Sequence, residues 1–263
     1  MNYEAEYDLA LEAAMEAGDY LESIDIPAVD SQEGRDIKLE ADRQSEMLLV
    51  DRLRPTGVPI LSEESGYMGE HKKGLEWIID PLDGTANFWK GMRELACVSV
   101  ALWENGEPVL GVVNRFCRQE IYGGIVGEGA WLNGRPIRTS CVTHRKDAVL
   151  ATGFPVKRDY DEGSLSSFIA KVQSFKKIRM LGAAAVMGAF VADGRIDAYT
   201  EEQIMLWDIA ASSAIVKAAG GIVDIRPLED HQCICRLFAN QVLYEEYMTA
   251  NTSTACISKG AIC

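Results

Sequence analysis

Trp77-Ile78-Ile79-Asp80-Pro81-Leu82-Asp83-Gly84-Thr85 is the stretch on which the reading of this chain turns. Residues 77–79 have the apolar run of a buried strand. Asp80 and Asp83, three residues apart, cannot share a face of an extended chain, because its side chains alternate. Pro81 fixes its own φ and donates no N–H, so the strand is expected to stop near Asp80. Gly84 then permits a tight turn that swings Asp83 back beside Asp80, with Thr85 close behind. The product is an oxygen-rich corner at the end of a buried strand, suited to a hard divalent cation. Taken alone, Asp-x-x-Asp-Gly is equally an ordinary surface turn.

Other acids can complete the corner. Glu63-Glu64 follows the short strand Ile60-Leu61, and adjacent residues point oppositely, so one of the pair faces inward. Asp208 follows Trp207 where a helix begins, a place that suits an acid electrostatically and as a cap. Asp42 sits in the early turns of another helix. For each, the plain alternative is a helix cap or a solvated charge.

Composition limits the function classes. With 263 residues, 48% of them hydrophobic, the chain can bury a large core as one big domain or two fused halves. No run approaches the ~20 apolar residues of a membrane span, and the acidic start Met1-Asn2-Tyr3-Glu4 is unlike a secretory signal; a cytoplasmic protein is expected. The net charge of −14 argues against a nucleic-acid polymer or an anionic membrane as partner. Seven cysteines, odd in number and scattered, read as reduced thiols, and Cys233-x-Cys235 is a poor zinc site without a second pair.

Along the chain, Tyr3, Tyr7, Ala10, Ala14, Ala17 and Leu21 alternate spacings of four and three, predicting an amphipathic helix. A second helix is expected over 39–53, with Leu48, Leu49 and Leu53 inward. Strands are predicted at 60–63, 97–103, 109–113, 120–126 and 129–132, with tight turns at Asn105-Gly106 and Asn133-Gly134. Near 139–147 the rhythm changes to alternation: strand 148–152, helix 165–174, strand 177–181, helix 182–192, strand 195–200, helix 207–219, strand 222–225. Residues beyond about 250 read as a weakly packed tail. An α+β half over 1–145, carrying the Glu-Glu and Asp-Pro-Leu-Asp-Gly-Thr motifs, thus joins an α/β half over 146–263 carrying Trp-Asp, in one compact unit.

These parts match one family in order and approximate spacing. Leu61-Ser62-Glu63-Glu64-Ser65, Trp77 through Asn87-Phe88, Gly129-Ala130-Trp131-Leu132-Asn133-Gly134, Trp207-Asp208-Ile209-Ala210-Ala211 and Ala218-Ala219-Gly220-Gly221 resemble the inositol monophosphatase family, magnesium-dependent and lithium-sensitive phosphatases of sugars and inositols. The resemblance covers roughly residues 5 to 245. It implies a layered α-β-α-β-α sandwich, shared with the fructose-1,6-bisphosphatase superfamily, and commonly a homodimer.

By position, the resemblance implies that Glu63, Asp80 and the Leu82 carbonyl hold one metal, and that Asp80, Asp83 and Asp208 hold a second. Two or three Mg²⁺ per site would neutralise carboxylates that could not otherwise all stay ionised, and Mn²⁺ could substitute. Thr85 and Asp42 would orient a metal-activated water and take its proton, with Glu63 also catalytic by its metal. Asp83, Gly84, Thr85, the loop Gly182-Ala183-Ala184, and Glu201 fall on the family's substrate contacts. Ala183 stands where relatives commonly carry Thr or Ser, Ser212 replaces a frequent Gly, and Arg115 a frequent Pro. Lys90 or Arg93 reads a second anionic group or is a solvated rim charge, the rim being favoured.

The function implied is hydrolysis of a small phosphomonoester, inositol monophosphate or a related polyol or sugar phosphate. Fructose 1,6-bisphosphatase, 3'(2'),5'-bisphosphate nucleotidase and histidinol-phosphate phosphatase activities are the alternatives on the same scaffold. An inactive relative that binds a phosphorylated metabolite, or a calcium-stabilised structural domain, are the readings outside enzymology.

Overall fold

A computed structural model describes residues 3–33, 36–70, 74–154 and 161–257. The chain opens with α1 (Glu4–Ser23), the hairpin β1 (Val29–Glu33) and β2 (Asp36–Leu39), and α2 (Glu40–Leu53). Next come β3 (Ile60–Ser62), β4 (Gly66–Met68), β5 (Leu75–Asp83) and the short α3 (Thr85–Trp89). A meander follows: β6 (Cys97–Glu104), β7 (Glu107–Arg115), β8 (Glu120–Ile125), β9 (Gly129–Leu132) and β10 (Arg135–Pro136). The remainder is β11 (Val149–Ala151), α4 (Glu162–Gln173), β12 (Lys177–Arg179), α5 (Ala184–Ala192), β13 (Ala198–Met205), α6 (Leu206–Ala218), β14 (Ile222–Pro227), β15 (Gln232–Phe238) and α7 (Gln241–Ile257).

Two large sheets organise these elements. An eight-stranded sheet runs β10-β9-β8-β7-β6-β5-β3-β4, and a five-stranded sheet runs β12-β11-β13-β15-β14. On one face of the larger sheet, Ala10, Ala14, Ala17 and Leu21 of α1 and Leu49 and Leu53 of α2 pack on Trp77, Ile79, Val100 and Val112. On its other face α5 and α6 lie between the sheets, where Val186, Ile209, Ala211 and Ile215 meet Ile78, Ala101, Tyr199 and Leu237. Leu243 and Tyr247 of α7 cover the outer face of the second sheet against Leu150, Ala198 and Phe238. The order is helices, sheet, helices, sheet, helix: the layered sandwich.

The small residues of α1 and α5 have a packing reason. Alanine lets the helix axis approach the sheet closely, and all of Ala10, Ala13, Ala14 and Ala17 are fully buried.

Several elements differ from expectation. The strand does not stop at Asp80: β5 continues to Asp83 through a bulge, Asp80 pairing with Ser99 and Asp83 with Cys97. Three steps on β5 oppose two on β6, so one extra residue is accommodated. Ser99 and Cys97 are two apart and share a face, so the bulge restores Asp80 and Asp83 to a common face as well. Pro81 is tolerated because a bulge needs no ladder donor there, and the Leu82 N–H is taken by Asp80 Oδ1 at 3.0 Å.

The second sheet is mixed. β11 is parallel to β12 and β13, but β15 is antiparallel to both β13 and β14. β15 and the hairpin β1–β2 lack a clear apolar alternation in sequence. The expected tail is helical as far as Ile257, and residues 258–263 lie outside those described.

Candidate active site

The site grows from the bulged end of β5. Ser45 on α2 donates to the Pro81 carbonyl at 2.8 Å, fixing the corner against that helix. Gly84 turns the chain at φ +89°, and α3 begins at Thr85. The Thr85 hydroxyl lies 3.0 Å from Asp42 Oδ1 and 3.0 Å from the Leu82 carbonyl, either of which can accept its proton.

Asp42 and Asp208 share a local device. Asp42 is the third residue of α2, and its Oδ2 accepts the N–H of Leu39, the residue that caps the helix, at 2.8 Å. Asp208 is the third residue of α6 and accepts the N–H of its cap residue Met205. A carboxylate at that position closes back on an orphan amide and sits in the positive end of the helix dipole. Capping therefore orients both acids; it is not an alternative to a role in the site.

Glu63, just past the end of β3, Asp80 on β5 and Asp208 on α6 each bring a carboxylate oxygen within 4.8 Å of the other two. Glu64 is outside that trio and pairs with Lys38 at 2.8 Å. Asp83 stands beside the group, and each of its carboxylate oxygens accepts one backbone amide while keeping a lone pair for a further ligand. It accepts the Ala184 and Ala185 N–H groups at 3.2 and 2.7 Å, at the start of α5, and the Cys97 thiol lies 3.7 Å from Oδ2. Asp83 thereby ties the first sheet to the helices between the layers.

Glu63, Asp80, Asp83 and Asp208 line one cavity of about 220 Å³, together with Leu82, Gly84, Thr85, Gly153, Phe154, Gly182, Ala183, Ala184, Met187, Glu201 and Ile204. Glu201 lies mid-strand on β13, which runs on to Met205 past the expected end at 200, and accepts the Tyr199 hydroxyl at 2.8 Å. Asn87 donates to the Leu181 carbonyl at 2.7 Å, holding the Gly182-Ala183-Ala184 loop.

Other expectations resolve differently. Arg93 donates to the Ile24 carbonyl and to the Asp25 carbonyl at 2.7 Å, so it tethers a loop and is not a plain rim charge. Lys90 lies 3.8 Å over the Trp89 ring. Arg115 is buried and paired with Glu120. His144 is exposed, His231 packs against Trp207, and His71 lies outside the described residues. Tyr199, Cys97, Gly153 and Phe154 were not singled out from the sequence. Only Gly153 and Phe154 carried a signal, their place just past the carboxyl end of a strand in an α/β half.

Electrostatically the cluster is unstable as bare carboxylates. Burial, then the charges of Glu64 and Asp42, push Glu63 up to about 8. Burial pushes Asp83 up to about 7, against the lowering by the α5 amides. Asp80 and Asp208 are raised well above the usual range by burial and by the neighbouring carboxylates, Glu63 first. Burial raises Asp42 to about 6, opposed by the Leu39 amide and the Thr85 hydroxyl. An all-oxygen set of mutually repelling carboxylates fits a hard divalent cation such as Mg²⁺ or Mn²⁺.

The shifts set a pH dependence. Each group binds its proton more tightly folded than unfolded, so between about pH 4 and 8 the native state holds more protons. Stability of the cation-free protein therefore falls as pH rises through that window, and is flat below it, where both states are protonated. A cation displaces those protons, so its stabilisation grows over the same range. Thermal midpoints in EDTA at pH 5 to 8 should decline and the gain from added Mg²⁺ should widen. A rise in EDTA would contradict these assignments.

Residues 2–244 match the model of the inositol monophosphatase family. The chain belongs to that family. It is 37% identical over 226 residues to the Nus factor SuhB of Xylella fastidiosa, covering 82% of this chain and 80% of the relative. It is also 37% identical over 231 residues to the inositol-1-monophosphatase of Synechocystis, covering 84% and 80%. Among solved structures, the inositol monophosphatase of Anabaena superposes with a TM-score of 0.84 at 29% identity, over 97% of each chain. Family membership accounts for the order of layers. Among the described residues, no helix is long and apolar enough to cross a membrane.

Proposed function

We propose that this inositol monophosphatase family member hydrolyses small phosphomonoesters of polyols, inositol monophosphate foremost. The observation that carries the reading is the meeting of Glu63, Asp80 and Asp208 beside the Thr85–Asp42 pair. The three carboxylates would hold Mg²⁺, two or three ions per site, with Asp83 and the Leu82 carbonyl as further ligands; Mn²⁺ would substitute. Such cations supply Lewis-acid polarisation of the phosphoryl group and neutralise charge at the leaving oxygen.

The chain's own residues do the rest. With its hydrogen donated to Asp42, the Thr85 oxygen presents lone pairs to a water and orients it toward the phosphorus. Asp42, which accepts the Thr85 hydrogen at 3.0 Å, takes the proton through that hydroxyl. Glu201, fixed by Tyr199, accepts hydrogen bonds from hydroxyls of the leaving group. The cavity, about 220 Å³, is smaller than the roughly 300–1,000 Å³ of drug-sized pockets. That favours a small polyol over a nucleoside bisphosphate.

A second reading has a specific basis: relatives named as Nus factors stand at the same identity as one named as an inositol-1-monophosphatase. A role in a protein assembly, or in binding a phosphometabolite without turnover, is therefore the competitor; the complete Thr85–Asp42 pair favours turnover. The reading also includes a homodimer, supported by Leu165 and Ile169, exposed one turn apart on α4. A reducing cytoplasmic setting is supported by Cys97, Cys117, Cys141, Cys233 and Cys235, all free thiols.

Phosphate release should be measured from inositol 1-phosphate, fructose 1,6-bisphosphate, 3'-phosphoadenosine 5'-phosphate and histidinol phosphate, in saturating Mg²⁺ with and without Li⁺. The largest kcat/KM is expected for inositol 1-phosphate, with inhibition by Li⁺. No release from any of the four would defeat the enzyme reading.

A further inference from the structure

Phe154 is 42% exposed and lines the cavity that contains the carboxylate cluster. It is not adrift. Its ring lies 4.4 Å, centroid to centroid, from that of Phe168, the single buried residue of α4. The neighbouring Gly153 explains how the aromatic comes to share a wall with Glu201. A Cβ at position 153 would stand 2.5 and 2.6 Å from the two Glu201 carboxylate oxygens, so only a glycine lets that carboxylate lie against the backbone. Tyr199 holds the carboxylate from behind.

One wall of the cavity therefore offers an acceptor for hydroxyls, and one residue away an apolar ring supported from below. A leaving group that satisfies both has hydroxyls along one edge and a contiguous C–H face. That describes a ring polyol; an open-chain polyol exposes its C–H groups in no fixed plane. We propose that Phe154 is a specificity-determining residue whose ring receives the C–H face of a cyclic leaving group, so that the site prefers phosphates of cyclic polyols over acyclic ones. The inference rests on the phosphatase reading above and deepens it.

The test compares kcat/KM for inositol 1-phosphate and for glycerol 2-phosphate in the parent protein, Phe154→Ala, Phe154→Leu and Phe154→Tyr, all in saturating Mg²⁺. The preference for the cyclic substrate should fall about tenfold in Phe154→Ala, through KM more than kcat, with the acyclic substrate within about twofold. Phe154→Tyr should retain the preference, and Phe154→Leu should fall between. Equal losses on both substrates, or a changed oligomeric mass in Phe154→Ala, would show a structural or interface role and overturn the proposal. An unchanged preference in Phe154→Ala would overturn it too, leaving the phosphatase reading intact. No turnover of either substrate by the parent protein would remove that reading and this proposal together.

Discussion

Asp80→Asn is expected to lower kcat/KM for inositol 1-phosphate by about 10³-fold, roughly 4 kcal/mol of transition-state stabilisation, while making the cation-free protein more stable. The opposite signs follow from one fact: Asp80 is 1% exposed and surrounded by Glu63, Asp83 and Asp208, each of which raises its affinity for a proton. Asparagine matches its shape and can still accept the Leu82 N–H through Oδ1. What disappears is the ionisable group. In the cation-free protein, where burial and the neighbouring acids keep Asp80 protonated, that removes the cost of taking up a proton on folding, worth about 1–2 kcal/mol or roughly 3–6 °C in a domain of this size. With Mg²⁺ present the same change removes one of the three carboxylates of the group. The parent protein at ~100 times its dissociation constant should gain about 2.7 kcal/mol from the cation, and the variant should gain much less. Melting curves in EDTA and in Mg²⁺, beside phosphate-release assays, give all three quantities. A variant that loses stability in EDTA would show that Asp80 is held by favourable contacts and not by a cation's arrival.

The second large effect separates chemistry from cation binding. Thr85→Val and Asp42→Asn should each lower kcat by about 10²–10⁴-fold, the usual range for a lost general base or its relay, with KM little changed. Thr85→Ser keeps the hydroxyl and should keep most of the activity. Since neither side chain belongs to the Glu63–Asp80–Asp208 group, the thermal gain from Mg²⁺ should survive in all three variants. The parent kcat should have an acid limb below pH 6, because burial raises Asp42 to about 6 in the cation-free protein and bound cations lower it from there, and that limb should vanish from the residual activity of Asp42→Asn. A fall in kcat accompanied by loss of the Mg²⁺ gain would mean that Thr85 and Asp42 support the cation site instead.

How far the sequence disclosed the site depended on what each residue's neighbours were. The corner at Asp80 was legible because proline, glycine and two acids leave the backbone few options. Its true form, a bulge with β5 running on to Asp83, was not, because a bulge is set by the partner strand's register, which local residues do not encode. Asp42 and Asp208 were visible as acids at helix starts. Their convergence depends on α2 and α6 being packed on opposite faces of one sheet, a tertiary fact supplied only by the family resemblance. Asp83 illustrates the limit in the other direction: its place in the motif was plain, but its bonds to the Ala184 and Ala185 amides join residues a hundred positions apart. β15 escaped notice for a local reason. Its residues alternate Cys, Ile, Cys, Arg and Leu, and cysteine with arginine weakens the period-two signal. Gly153 and Phe154 acquire meaning only once Glu201 lies against them.

Anomalous scattering from Mn²⁺-soaked crystals tests the central claim most directly. A peak within about 2.2 Å of carboxylate oxygens from Glu63, Asp80 and Asp208 together is the result expected for an oxygen-ligated divalent ion of this kind. Full Mn²⁺ density elsewhere on the protein, with those three side chains carrying none, would contradict it.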